Sequence, residues 1–166
     1  MSFAPPGFED SPLAGFDVSW LASDQEGHVA WLVTFGSAVL PPWVIASLED
    51  DFDPEEALRA LPIVGGYRSA RNLARTDEQW IGVARRGIFA YDWDVYSGPY
   101  LLKAEPPMPV HLDTLPPALA RLARLTRFPH LRFRDCQTIA VTDVALCTET
   151  PLSPQPPPSA TPKPSP

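Results

Sequence analysis

Two apolar runs separated by a short polar stretch open the pattern of the chain. FDVSWLAS at 16–23 and HVAWLVTF at 28–35 are rich in Val, Trp, Phe and Leu, and the intervening DQEG ends in a glycine able to take positive φ. The alternation predicts a β-hairpin. Phe16, Val18, Trp20 and Ala22 share one face of its first strand, and Val29, Trp31, Val33 and Phe35 share one face of its second. Leu21, Ala30 and Leu32 make the opposite faces apolar too, so the hairpin is expected to be covered on both sides.

Farther along, the period lengthens from two toward 3.6. In LPPWVIASLEDDFDPEEALRALP, Pro42 fits the first turn of a short helix that buries Trp43, Val44 and Leu48. Asp53 fits the N-cap of a second helix, with Pro54 at N1 and Glu56 reaching back in a capping box. Ala57, Leu58 and Leu61 form its apolar side, and Pro62 stops it. Thr76 with Gln79 marks a third helix, running from Asp77 to Arg86 and ended by Gly87. Residues 88–93 and 100–104 then read as strands, joined antiparallel by the loop 94–99.

The longest helical pattern is LPPALARLARLTRF at 115–128, opened by Asp113 or Thr114. Its stripe is Leu115, Ala118, Leu119, Leu122 and Leu125, with Arg121, Arg124 and Arg127 on the opposite arc. Residues 130–134 and 138–146 are predicted strands, the second because Ile139, Val141 and Val144 are β-branched. With no repeated strand–helix–strand crossover, the expected fold is α+β. Hairpins assemble into a mainly antiparallel sheet packed against short helices and one longer one, in a single domain over 1–150. Residues 151–166 carry eight of the 22 prolines and offer little to bury, which predicts a disordered, partly polyproline II tail.

Charge changes the picture more than composition does. Residues 1–58 hold 11 acids and no Lys or Arg, and residues 59–166 hold 9 acids and all 13 bases, so −11 and +4 give the net −7. An acidic surface of this kind attracts basic partners and argues against unaided nucleic-acid binding. Asp24, Glu26, Glu49, Asp50, Asp51, Asp53, Glu55 and Glu56 are therefore the candidate protein-binding residues. No apolar run reaches the length of a membrane span, and the first residues lack the charged flank and apolar core of a secretory signal, so a cytoplasmic location is expected.

Candidate chemistry is sparse. His28, His111 and His130 make no close metal-ligand spacing, Cys136 and Cys147 make no CxxC, and EDDFDPEE lacks the glycine and late glutamate of a calcium loop. No cofactor or metal is expected. Cys136 with His130, the pair Asp92 and Asp94, and Arg85 with Arg86 are weaker candidates for a nucleophile, acid–base work and a phosphate contact. Trp80, Tyr91, Trp93, Tyr96 and Tyr100 read first as core.

SWLASDQEGHVAWLVTFG at 19–36, ARRGIFAYDWD at 84–94 and the PxxPVHLDTLPPAL segment at 106–119 together resemble small acidic bacterial immunity proteins of polymorphic toxin and antibacterial secretion systems. The resemblance implies a cytoplasmic, non-enzymatic inhibitor that binds a cognate toxin and blocks its active site. It carries no contact residue across. A small hydrolase with an unrecognised polar site and a structural or oligomerisation module compete with that reading, and a homo-oligomer stays open.

Overall fold

The computed structural model describes residues 15–34, 36, 38–48, 52–70, 77–94 and 98–150. The hairpin forms where the alternation places it. Strand β1 (Ser19–Asp24) runs antiparallel to β2 (Val29–Val33), with Ser19 opposite Val33 and Ser23 opposite Val29. Gly27 completes the turn at φ +79° and passes directly under the His111 ring, so a side chain there would meet both backbone strain and a clash. Phe16 falls outside β1 and is 65% exposed, and Phe35 lies outside the described residues.

Among the described residues six further strands extend the sheet: β3 (Arg68–Ser69), β4 (Phe89–Trp93), β5 (Tyr100–Glu105), β6 (Thr126–Phe128), β7 (Thr138–Ile139) and β8 (Thr148–Glu149). Their order is β3-β5-β4-β2-β1-β6-β8, with β7 also on β5. The fold is α+β with a mainly antiparallel sheet. Two contacts are parallel, β2 with β4 and β1 with β6, and they place the first hairpin at the centre of the sheet.

Both faces of the sheet are covered, as the doubly apolar hairpin requires. Trp20, Leu32, Tyr91, Trp93, Tyr100 and Phe128 face one layer, closed by Val44 of α1 (Pro42–Ser47), Phe133 and Val144. Leu21, Val29, Trp31 and Ala90 face the other, closed by Leu58 of α2 (Pro54–Arg59), Trp80 and Val83 of α3 (Glu78–Ala84), and Leu119 of α4 (Pro117–Leu125). Tyr91 donates its hydroxyl to the Cys136 carbonyl at 2.7 Å, so this ring is held in the core by its polar end as well as by packing.

Local rules explain the starts and stops. The Asp53 carboxylate accepts the amides of Glu55 at 2.9 Å and Glu56 at 3.4 Å, which is the predicted N-cap. Helix α3 begins after Asp77 without a side-chain cap; Thr76 lies outside the described residues. Arg86 then fastens α2 to α3, donating Nε to the Leu61 carbonyl, Nη1 to Gly82 and Nη2 to Arg59, at 2.8, 2.7 and 2.7 Å. These bonds take up the guanidinium edge that a phosphate would need.

Four sequence expectations are corrected. Helix α4 ends at Leu125, because Thr126 turns extended at φ −118° and carries the chain into β6; Thr126 and Phe128 are fully buried there. Its buried side is also rotated. Leu119, Ala120 and Ala123 point into the core, whereas Ala118 is exposed and Leu122 is half-buried. Finally, the β-branched run at 138–146 is mostly helix: β7 covers two residues, and α5 (Val141–Leu146) follows because the Asp143 carboxylate accepts the Ala140 amide at 2.8 Å and fixes a helical first turn. The run predicted as a strand at 130–134 is not one: its last two residues enter a 3-10 turn, Phe133–Asp135.

Candidate functional site

The displaced stripe of α4 has a consequence at the surface. Ala118, Arg121, Leu122 and Leu125 repeat at helical spacing and form one wall of an open groove of about 660 Å³. Trp43, Val44 and Leu48 on and after α1, Trp20 and Leu21 of β1, and Phe52 and Glu149 also line it. The Trp20 ring is held by its polar end: the indole N–H donates to the Tyr100 hydroxyl at 3.1 Å, and that hydroxyl donates to the Val39 carbonyl at 3.2 Å. The Trp43 indole N–H donates to Thr126 Oγ1 at 2.9 Å, which orients this ring. A groove of this size with apolar walls and few polar groups takes an apolar ligand or an anchoring side chain.

The acidic candidates separate into two groups. Asp53, Glu55 and Glu56 stand at the start of α2, beside Phe52 and Pro54, which line the groove. Glu49, Asp50 and Asp51 lie outside the described residues. Part of this charge is answered internally, since Glu55 pairs with Arg59 and the Asp53 carboxylate is engaged in capping. Asp24 and Glu26 are elsewhere, at the far end of β1 from Trp20, about 13 Å of strand away at ordinary strand rise.

Asp24 is corrected from rim contact to structural anchor. Its side chain has no exposed surface, and its oxygens accept the amides of Glu26, His28 and Phe133, each at 2.9 Å. Those bonds replace water around a buried carboxylate and bind the hairpin turn to the segment around Phe133. Glu26 is paired with Arg134 at 3.3 Å. The eight candidates therefore do not form one acidic face among the described residues.

The weaker chemical candidates gain little from their surroundings. Burial pushes the Cys136 thiol up, and Asp143 and Asp135 add to the shift, which is opposite to the activation a nucleophile needs. His130 engages Asp143 at 3.3 Å. Burial also raises the Asp92 carboxyl, with Lys103 at 4.0 Å pulling it back, while Asp94 is exposed. Trp80, Tyr91, Trp93 and Tyr100 are buried, as core residues should be, and Tyr96 lies outside the described residues. Sequence reasoning missed Trp43, Leu122 and Leu125 as one surface. The signal was present as an apolar stripe on α4 wider than its core contact needs, but a stripe does not say which of its edges is covered.

Among the described residues, no helix is long and apolar enough to cross a membrane. Comparison with known protein families, with curated proteins and with solved structures finds no match for this chain.

Proposed function

We propose that this chain is a non-enzymatic recognition module of the immunity type, which neutralises a cognate toxin or another basic protein in the cytoplasm by binding it directly. The observation that supports this reading is the open apolar groove between α1 and α4. Its occupant is an apolar side chain of the partner flanked by Lys or Arg. Trp43, Leu122 and Leu125 receive the anchor; Glu56 and Glu149 meet the flanking cations, and Glu55 does so in exchange for Arg59. The net charge of −7 favours the encounter, and desolvation in the groove supplies the residence time.

The test is a binding titration against a basic protein toxin that the chain retains at native salt, with wild type and Leu122→Arg compared at equal foldedness by circular dichroism. Loss of a central anchor pocket costs about 2 kcal/mol or more, roughly a thirtyfold rise in Kd. Glu55→Gln with Glu56→Gln slows association at low salt and has little effect at high salt. Unchanged affinity in a folded Leu122→Arg protein excludes the groove as the contact.

A further inference from the structure

The turn between β1 and β2 brings three different ligating groups together. Asp24, Glu26 and His28 follow one another at every second residue, and one ligand atom from each lies within 4.8 Å of the others. His28 Nδ1 is 3.7 Å from Asp24 Oδ2 and 3.7 Å from Glu26 Oε2. Those separations are too long for hydrogen bonds. They are close to those of a shared cation: a metal about 2.1 Å from two ligand atoms at the tetrahedral angle holds them about 3.4 Å apart, so a small inward shift of the two side chains completes the site.

A second observation makes the trio more than a meeting of charges. His28 Nδ1 is itself buried and has no hydrogen-bond partner, one of three such side-chain atoms among the described residues. The other two are indole nitrogens, which cannot ligate a metal. An orphaned imidazole nitrogen costs free energy unless something occupies its lone pair or takes its proton. Asp24 is already fixed by three backbone amides, so its orientation is set before any ligand arrives.

We propose that Asp24, Glu26 and His28 form a site for a divalent transition metal of the zinc class, one imidazole and two carboxylates with water completing the shell. The nitrogen ligand selects against calcium and magnesium, which prefer oxygen throughout. The metal ties the hairpin turn to the segment at 131–136, which Asp24 and Gln25 already reach through the Phe133 amide and the Leu131 carbonyl. Its role is to stabilise this corner of the fold, at the opposite end of β1 from the groove. Arg134 competes with it, because its Nε lies 3.3 Å from the same Glu26 oxygen.

The full chain, stripped with a chelator and titrated with Zn²⁺ against a chromophoric competitor, tests the site. The expected result is one equivalent bound, with a rise in Tm on saturation. Glu26→Gln and His28→Gln each weaken binding about tenfold or more. Arg134→Gln tightens it, since the competing cation is gone, and Ca²⁺ gives no rise in Tm at the same concentrations. Absence of Zn²⁺ binding overturns the proposal, and so does binding that is the same in wild type and Glu26→Gln. Glu26 is at the surface, so that variant keeps the test decisive even where His28→Gln fails to fold.

Discussion

Leu119 and Leu122 occupy the same helix, three residues apart, and the structure assigns them opposite fates. Leu119 is 1% exposed within the cluster that contains Leu21, Val29 and Trp31, whereas Leu122 is half-buried on the groove wall. Leu119→Ala removes fully buried methyl groups and leaves a cavity, which costs about 3 kcal/mol and up to about 5 if the site cannot collapse. Leu122→Ala removes groups that already border open space. It leaves no enclosed void, and half of a leucine's transfer free energy is about 1 kcal/mol. Urea unfolding followed by tryptophan fluorescence measures both, provided the m-value is the same in the two variants and wild type. Equal losses would refute the reasoning, since they would mean that the 118–122–125 edge is enclosed and that no groove is available to a partner.

Arg86→Met keeps most of the side-chain volume but removes all three bonds to the carbonyls of Arg59, Leu61 and Gly82. A loss of about 1.5–3 kcal/mol in denaturant unfolding is expected, and Arg86→Lys recovers only part of it because an ammonium cannot span the same fork. Asp92→Asn gains on wild type as pH rises from about 3 to 7: burial makes the folded carboxyl hold its proton more tightly than the unfolded one, so its ionisation lowers wild-type stability over that range. A pH series of melting curves in which the difference between the two proteins stays flat contradicts this. Cys147, pushed up to about 11 by burial, keeps its proton in the folded state when the unfolded thiol has lost it. Its contribution to stability therefore falls as pH climbs from about 9 to 11, and native-state alkylation at pH 8 is slow compared with that of a small thiol.

The sequence was most legible where one local rule governed one element. The turn glycine and alternating aromatics located the first hairpin, and the Asp53–Pro54 pair located α2. It misled where two rules competed. The β-branched residues at 141–144 favour a strand, but a single aspartate bond to the Ala140 amide makes a helical turn better there. Arginines and leucines continue the helical period through Arg127, yet the chain leaves the helix at Thr126 because an edge of β1 is free to accept it. The candidate sites were less legible still. Whether an acid faces water or anchors a turn depends on where the segment around Phe133 arrives, more than a hundred residues after Asp24, and no spacing within the turn encodes that.

The central hairpin closes locally, but its neighbours reach it only from distant parts of the chain. Its outer partners are β4 (Phe89–Trp93) and β6 (Thr126–Phe128), so β2 gains its neighbour more than fifty residues beyond its own end and β1 about a hundred residues beyond its own. Both sides of that ribbon are oily, and both margins carry open backbone donors and acceptors, the combination that invites pairing with another nascent copy. Slow, sequence-distant closure is the consequence of seating these two strands in the middle of the sheet.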